Sequence, residues 1–570
     1  MMTKKAFQFD ISQVPFSCRG SRLAITRLPI NRARELGKKP GLFLRTVAGG
    51  VSMDRREIFR VEALVKGKIV ATDEIAMPEK LVFVTGCGKV ETTFVSESRL
   101  LFRGTGLGLR LSGDGGWYTT LRPAGPGIWE LNLFAQRLQL MLTLRSGKIK
   151  INAPWDKDAC KHVRIDLLPD ESGTWELEFE EFRTAWEAPS NIIPFEEAVA
   201  AARNDFAKWL DQTLPAAPPF AAARPLAAYI NWTSLVSPRG HFKREAMLMS
   251  KNWMINVWSW DHCFNAIALA KLQPALAWDQ WAVMFDHQNE YGALPDCIND
   301  ADIVWNFTKP PVHGWALREM RAQGMDISKP QLELARRWLS AWTNWWLRYR
   351  DDDHDGLPNY NHGNDSGWDN ATFMSAGPPV EGADLAAFLI VQMDVLAGLC
   401  DELHKPTDAK QWRADADVLY LRLMEHSWRG DHFVSPRSGD HLVAGGDSLV
   451  SFMPLLLGKR LELSQRAALI RGVKRFITPH GLSTENPQSP LYQPNGYWRG
   501  PIWAPSTHLI IAGLLACGEE KLATRIARAF CKTCVNSGMA ENFDALTGEG
   551  LCDRAYTWTA SVFQILAAKF

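Results

Sequence analysis

Over residues 330–349, Ala335, Trp338, Leu339, Trp342, Trp346 and Tyr349 fall on one face at three- and four-residue steps. That period predicts an amphipathic helix. It recurs over 225–237, 264–272, 275–288, 313–323, 382–403, 408–427, 464–477, 505–516, 519–536 and 557–569. Eleven or so helices, joined by long polar loops, predict a closed helical toroid for 223–570 rather than a simple bundle. Residues 1–187 pattern differently. SRLAITRL, GLFLRTV, RLLFRGTGLGLRLS, LQLMLTL, KIKINA and TWELEFEEF are short and partly alternating, with Gly, Pro or Asp between them. They read as the strands of a β-sandwich. GTGLG and GDGG lack the strand-to-helix context and the lysine of a phosphate loop, so they read as turns. Between these regions, 188–222 holds a helix, EEAVAAARNDFAKWLDQTL, and then PAAPPFAAARP, which reads as a linker or an ordered strap.

Composition narrows the classes. The chain has 570 residues, enough for two or more domains. A formal charge of +1 gives no pull toward nucleic acid or an anionic membrane. No run of eighteen apolar residues predicts a membrane span. The opening residues MMTKKAFQFDISQVPF have no apolar core of a secretory leader, and the ten cysteines are scattered. A reducing cytoplasm is the expected compartment. Cys531 and Cys534 form a lone C-x-x-C and read as buried helix cysteines. The anomaly is the count of 24 tryptophans. Most read as core, but several lie in polar loops beside carboxylates and amides.

Those loops carry the candidate chemistry. Asn256–Asn265, NVWSWDHCFN, sets Trp258 and Trp260 beside Asp261, an aromatic platform next to a carboxylate that suits a sugar; it also fits a helix opening at Asp261. Lys309–Trp315, KPPVHGW, presents His313 and Trp315. Asp351–Asn370, DDDHDGLPNYNHGNDSGWDN, follows the Trp-rich helix and brings Asn364, Trp368, Asp369 and Asn370. NGYWRGPIWAP carries Tyr497, Trp498, Arg499 and Trp503, AENFDALTGEG carries Glu541, and YTWT carries Trp558. Two carboxyls among aromatics are what glycoside hydrolysis requires, one donating a proton and one ionised. Apolar walls would raise the acid's pKa.

In these loops the chain resembles glycoside hydrolase family 63 and its bacterial α-glucosidase and glucosylglycerate or mannosylglycerate hydrolase relatives. It is similar, more distantly, to the family 37 trehalases. The resemblance spans about 250 to 560. It implies an (α/α)6 barrel behind an N-terminal β-sandwich. It also implies inversion at a terminal α-glucosidic bond of a small carbohydrate, with Asp369 as general acid and Glu541 as general base. Trp260, Asp261, Trp368, Trp498 and Trp503 would line the sugar subsite. No cofactor is required for that chemistry. DDDHDG also matches the first half of a calcium loop, with Asp351, Asp353 and Asp355 as side-chain ligands and the Leu357 carbonyl next. A structural Ca²⁺ is expected there, although position twelve is His362 instead of Glu; solvated acids ending a helix is the other reading. Two competing classes stand beside the hydrolase: a non-catalytic sugar-binding protein, and a Mg²⁺-dependent terpenoid synthase-like enzyme that would use DDDHD. Arg499 would either meet a substrate carboxylate or brace a loop.

Overall fold

A computed structural model describes residues 7–28, 39–49 and 56–570. The first six residues of the leader reading lie outside it. Two antiparallel sheets form the N-terminal sandwich. One runs in the order Leu23–Leu28, Gly41–Thr46, Glu57–Val65, Gly108–Asp114, His162–Leu168, Lys148–Asn152. The other has eight strands with Thr174–Phe182 and Arg99–Thr105 at its centre. Their inner faces bury Leu44, Phe59, Leu109, Ile165, Phe102, Leu142 and Trp175. In Thr174–Phe182, the acidic ELEFEEF strand, Trp175, Leu177 and Phe179 point inward while Glu176 and Glu180 on the other face stay half-exposed, as a period of two requires; Glu178, between them, is buried against Arg99 and Arg145.

The helix Phe195–Asp211 packs between the sandwich strand Gly88–Ser96 and the first barrel helix, Arg224–Ser234. The Pro/Ala-rich stretch after it is an ordered strap. Ala217 N–H donates to the Ala567 carbonyl at 2.7 Å, and Phe220 is buried.

The barrel is a ring of six inner helices: Asp261–Leu269, His313–Ala322, Ala383–Glu402, Leu449–Arg460, Ala504–Ala516 and Thr557–Lys569. Each touches the next, and the last touches the first, so the ring closes. Six outer helices cover it: Arg224–Ser234, Pro274–Ala282, Lys329–Tyr349, Pro406–Ser427, Leu463–Val473 and Glu520–Ser537. This is the (α/α)6 architecture. The inner helices are buried nearly all round, whereas outer ones such as Lys329–Tyr349 bury one stripe.

Eleven of the twelve coincide with periodic segments. The twelfth, Leu449–Arg460, is a 3-10 stretch with Pro454 inside it and Gly458 at φ +54°, so it carries no 3.6-residue period. Ala383–Glu402 is long and apolar enough to cross a membrane, but it is an inner wall of the barrel and is mostly buried there. Cys531 and Cys534 are buried on Glu520–Ser537.

Candidate active site

The loops that enter the inner helices gather at one end of the ring. Asp261 opens the first inner helix, Lys309 precedes the second, Asp369 lies ahead of the third, Trp503 abuts the fifth, and Glu541 and Tyr556 lie ahead of the sixth. Two small antiparallel sheets pin these loops. Val257–Trp258 pairs with Cys297–Ile298, and Ile502–Trp503 pairs with Asn542–Phe543. The second pairing holds Glu541 one residue from a strand fixed to Trp503.

Glu541 is 5% exposed. The Tyr497 hydroxyl donates to its Oε1 at 3.1 Å, and the Asp553 N–H donates to its Oε2 at 3.3 Å. Its own N–H donates to the Asp553 carbonyl at 2.6 Å, and the Trp558 indole donates to its carbonyl at 3.2 Å. Burial, followed by the Asp553 and Asp369 carboxylates, pushes its carboxyl up to about 8, against the pull of the two donors. Asp369 is half-buried, and burial raises its carboxyl too, opposed chiefly by the Lys309 cation. The field of Asp369 reaches both Glu541 and the Tyr497 hydroxyl. The two carboxyls therefore belong to one electrostatic site although 172 residues separate them in sequence.

A third carboxyl joins them. Asp261 is buried and raised well above its ordinary value by desolvation, with Lys309 opposing and Asp296 and Asp369 adding to the rise. Lys309 and Asp296 are site residues that the motif reading passed over. Lys309 Nζ lies 2.8 Å from Asp296 Oδ1 and donates to the Asn364 side chain at 2.6 Å and its carbonyl at 2.7 Å. The signal was available: a lysine at the head of KPPVHGW is the one charged group in that motif.

The aromatic wall is tighter than a set of sugar platforms. Trp498 and Trp503 stack in parallel at 4.1 Å, Trp368 tilts against Trp498 at 4.8 Å, and Trp558 meets Trp503 edge-on at 5.4 Å. Trp260 completes the cluster, 5.9 Å from Trp558. Trp260, Trp368, Trp498 and Trp503 are all buried against one another, so they form the wall behind the site. Trp258 and Tyr497 keep some accessible surface.

His313 and Trp315 require correction: both are fully buried. His313 packs on His262, Phe285 and Trp342, and Trp315 packs on Phe264 and His508. Their loop feeds straight into an inner helix, which turns them into the barrel core. Asn370 is exposed, but its amide braces a neighbouring loop, accepting from Trp498 N–H at 3.0 Å and donating to the Gly496 carbonyl at 3.1 Å. Arg499 Nε donates to the Asn370 carbonyl at 2.8 Å, the loop-bracing role.

Asp351, Asp353 and Asp355 bring one carboxylate oxygen each within 4.8 Å of one another. They also accept from backbone N–H groups: Gly356 to Asp351, Gly439 to Asp353 and Leu357 to Asp355. His362, at the loop's twelfth position, instead caps the short helix Gly363–Ser366 by accepting from Asn364 N–H.

A family profile for the mannosylglycerate hydrolase MGH1-like glycoside hydrolase domain matches residues 254–559, more than half of the chain. The chain belongs to this glycoside hydrolase family. The matched span begins just before NVWSWD and ends within Thr557–Lys569, so it takes in every loop of the site. Among relatives, the chain is similar to a glucosylglycerate hydrolase of Mycolicibacterium hassiacum, 24% identical over 408 residues, covering 54% of this chain and 90% of that one. The barrel resembles the crystal structure of a family 63 mannosylglycerate hydrolase from Thermus thermophilus in complex with glucose. That likeness has a TM-score of 0.52 at 20% identity, over 61% of this chain and 99% of the other. A bacterial glucoamylase complexed with acarbose matches the fold more widely, with a TM-score of 0.65 at 10% identity over 99% of this chain and 94% of the other. This last likeness takes in the sandwich as well as the barrel. Membership in the family replaces the terpenoid synthase-like and sugar-binding alternatives with a hydrolase. DDDHD accordingly lies in a loop beyond its helix, not along a helix wall.

Proposed function

We propose that the protein hydrolyses a terminal α-glucosidic bond in a small glucoside with inversion at the anomeric carbon. Asp369 is the general acid and Glu541 the general base. The observation that carries this reading is the pair itself: two carboxyls on separate loops, each raised by burial, with the Asp369 charge adding to the rise at Glu541. Burial shifts Asp369 toward holding the proton it must deliver to the glycosidic oxygen. Glu541, held by Tyr497 and the Asp553 N–H, takes a proton from the water that attacks the anomeric carbon from the opposite face. An inverting pair needs a gap of roughly 6.5–9.5 Å between carboxyls to admit that water.

Small glycerate glycosides are a second substrate reading, favoured by what the relatives are named for. The α-glucoside reading is placed first because Arg499 Nε is engaged by the Asn370 carbonyl and Lys309 is paired with Asp296. Each of these two cations is thus already tied to the protein. A product screen over α-linked disaccharides, glucosylglycerate and mannosylglycerate separates the two, and NMR of the first anomer released reports the stereochemistry. Release of the β-anomer from an α-glucoside is the expected result, and release of the α-anomer overturns the inverting reading. Asp369→Asn and Glu541→Gln are each expected to lower kcat by about 10²–10⁴-fold while sugar binding persists by calorimetry. Wild-type turnover in either variant removes that residue from the mechanism.

A further inference from the structure

At the front of the Asp351–Asn370 loop, fourteen residues before Asp369, four side chains from four segments converge. Asp355 comes from the loop after Lys329–Tyr349, and Glu381 from just ahead of the inner helix Ala383–Glu402. His426 comes from the last turn of Pro406–Ser427, and His441 from the loop closed by the Pro436–Val443 bridge. One donor atom from each lies within 4.8 Å of all the others. We propose that Asp355, Glu381, His426 and His441 bind a divalent transition metal ion of the zinc class.

Glu381 supplies the first independent indication of a ligand. It is 1% exposed, and neither of its carboxylate oxygens makes a hydrogen bond of sound geometry, the Ser438 hydroxyl being near enough only to lower its pKa in part. Buried carboxylates are ordinarily paired, hydrogen-bonded or bound to a metal. The nearest cationic candidate is His441, whose Nδ1 is 3.8 Å from Glu381 Oε2, beyond hydrogen-bond length. That gap is the size of a missing ion. His441 is also held at φ +52°, a backbone region that a non-glycine residue rarely adopts. His426 Nδ1 sits 2.9 Å from Asp355 Oδ2, yet that buried oxygen makes no hydrogen bond, so it too is a carboxylate atom without a partner.

The donor types decide the ion. Calcium takes six to eight oxygens, whereas imidazole nitrogens with carboxylates suit zinc and its neighbours. Two neutral imidazoles and two carboxylates balance a 2+ charge, and Asp351 and Asp353 add negative surroundings. Tetrahedral zinc with bonds of about 2.0–2.1 Å needs donors roughly 3.3 Å apart. The His426–Asp355 pair at 2.9 Å must open slightly and the His441–Glu381 pair at 3.8 Å must close, and the His441 side chain, 43% exposed, has room to swing inward. The expected calcium at Asp351, Asp353, Asp355 and Leu357 would share Asp355 with this site, so the two ions compete and one titration separates them.

The test is calorimetric titration of the metal-free full-length chain with Zn²⁺ and with Ca²⁺. One Zn²⁺ per chain is expected, bound at least tenfold more tightly than Ca²⁺. His441→Ala and Glu381→Gln should each weaken Zn²⁺ by about tenfold or more. His432→Ala, at an exposed histidine paired to Asp431, should leave Zn²⁺ binding unchanged. Co²⁺ in place of Zn²⁺ should give the visible absorption of a tetrahedral site, and His441→Ala should abolish it. The proposal is overturned if the wild-type chain binds no Zn²⁺, if Ca²⁺ binds as tightly, or if His441→Ala binds Zn²⁺ like wild type. Circular dichroism checks each variant's fold. Should Glu381→Gln misfold, the half-exposed His441→Ala decides.

Discussion

The carboxyl of Glu541 is tuned by named neighbours, and each can be altered separately. Burial and the Asp553 carboxylate raise it, while the Tyr497 hydroxyl and the Asp553 N–H lower it. A general base works only when ionised, so kcat/KM rises with pH through the base's pKa. Its value of about 8 places the acidic limb of the profile near the alkaline side of neutrality. Asp553→Asn removes a raising charge, and the limb should move to lower pH, by about one unit. Tyr497→Phe removes a donor to the carboxylate, and the limb should move to higher pH by a similar amount. Profiles of kcat/KM for the two variants check both signs, and shifts in one common direction would remove Glu541 from the limb. At this scale the sequence was partly legible. Asp369 and Glu541, the proposed pair, could be singled out through their motifs, because SGWD and ENFD are short and contiguous. Lys309 and Asp296 were not, because their importance lies in a contact made across thirteen residues and only after folding. His313 and Trp315 misled because a stiff Pro-Pro loop looks like a display, while its continuation into an inner helix turns both side chains inward.

Elements were legible where a face exists to read. The outer helices bury one stripe and expose the other, which writes a 3.6-residue period into the chain. Leu449–Arg460 has no exposed face and is broken by Pro454 and Gly458, so the twelfth member of the barrel left no period. The SGWD element shows the opposite case, where one residue type is dictated. Gly367 has φ +71°, and a Cβ there would lie 2.6 Å from the Trp260 ring. Gly367→Ala should destabilise the protein by about 1–3 kcal/mol, through overpacking against a ring that other tryptophans hold in place. It should also lower kcat, because Asp369 lies two residues on. Thermal melts and steady-state kinetics on the same preparation read both effects, and an unchanged Tm would contradict the close approach.

For the whole molecule, the seam between sandwich and barrel rests on polar contacts that resemble ordinary surface charges in the sequence. Asp300 accepts from Arg22 Nε at 2.9 Å and from Gly49 N–H at 2.6 Å, and its carboxylate lies 3.6 Å from Arg239. Lys251 is fully buried and donates to Ser17 Oγ and to the Cys18 and Ser21 carbonyls. Nothing in local pattern distinguishes these from solvated residues, so the two domains were readable and their docking was not. Asp300→Ala strands a buried guanidinium and should cost about 3–5 kcal/mol. Denaturant unfolding followed by tryptophan fluorescence measures the loss, and a wild-type midpoint would show that the seam does not depend on this residue.

The amide of Asn370 couples what the chain otherwise keeps apart. It adjoins Asp369 on one side and grips the backbone on either side of Tyr497 on the other, and Tyr497 in turn holds Glu541. On the proposed roles of Asp369 and Glu541, one side chain would act as a ruler between proton donor and proton acceptor, setting the gap that either admits a single water or does not. Stereochemical fidelity in this barrel would then be a property of a carboxamide that need never touch the sugar.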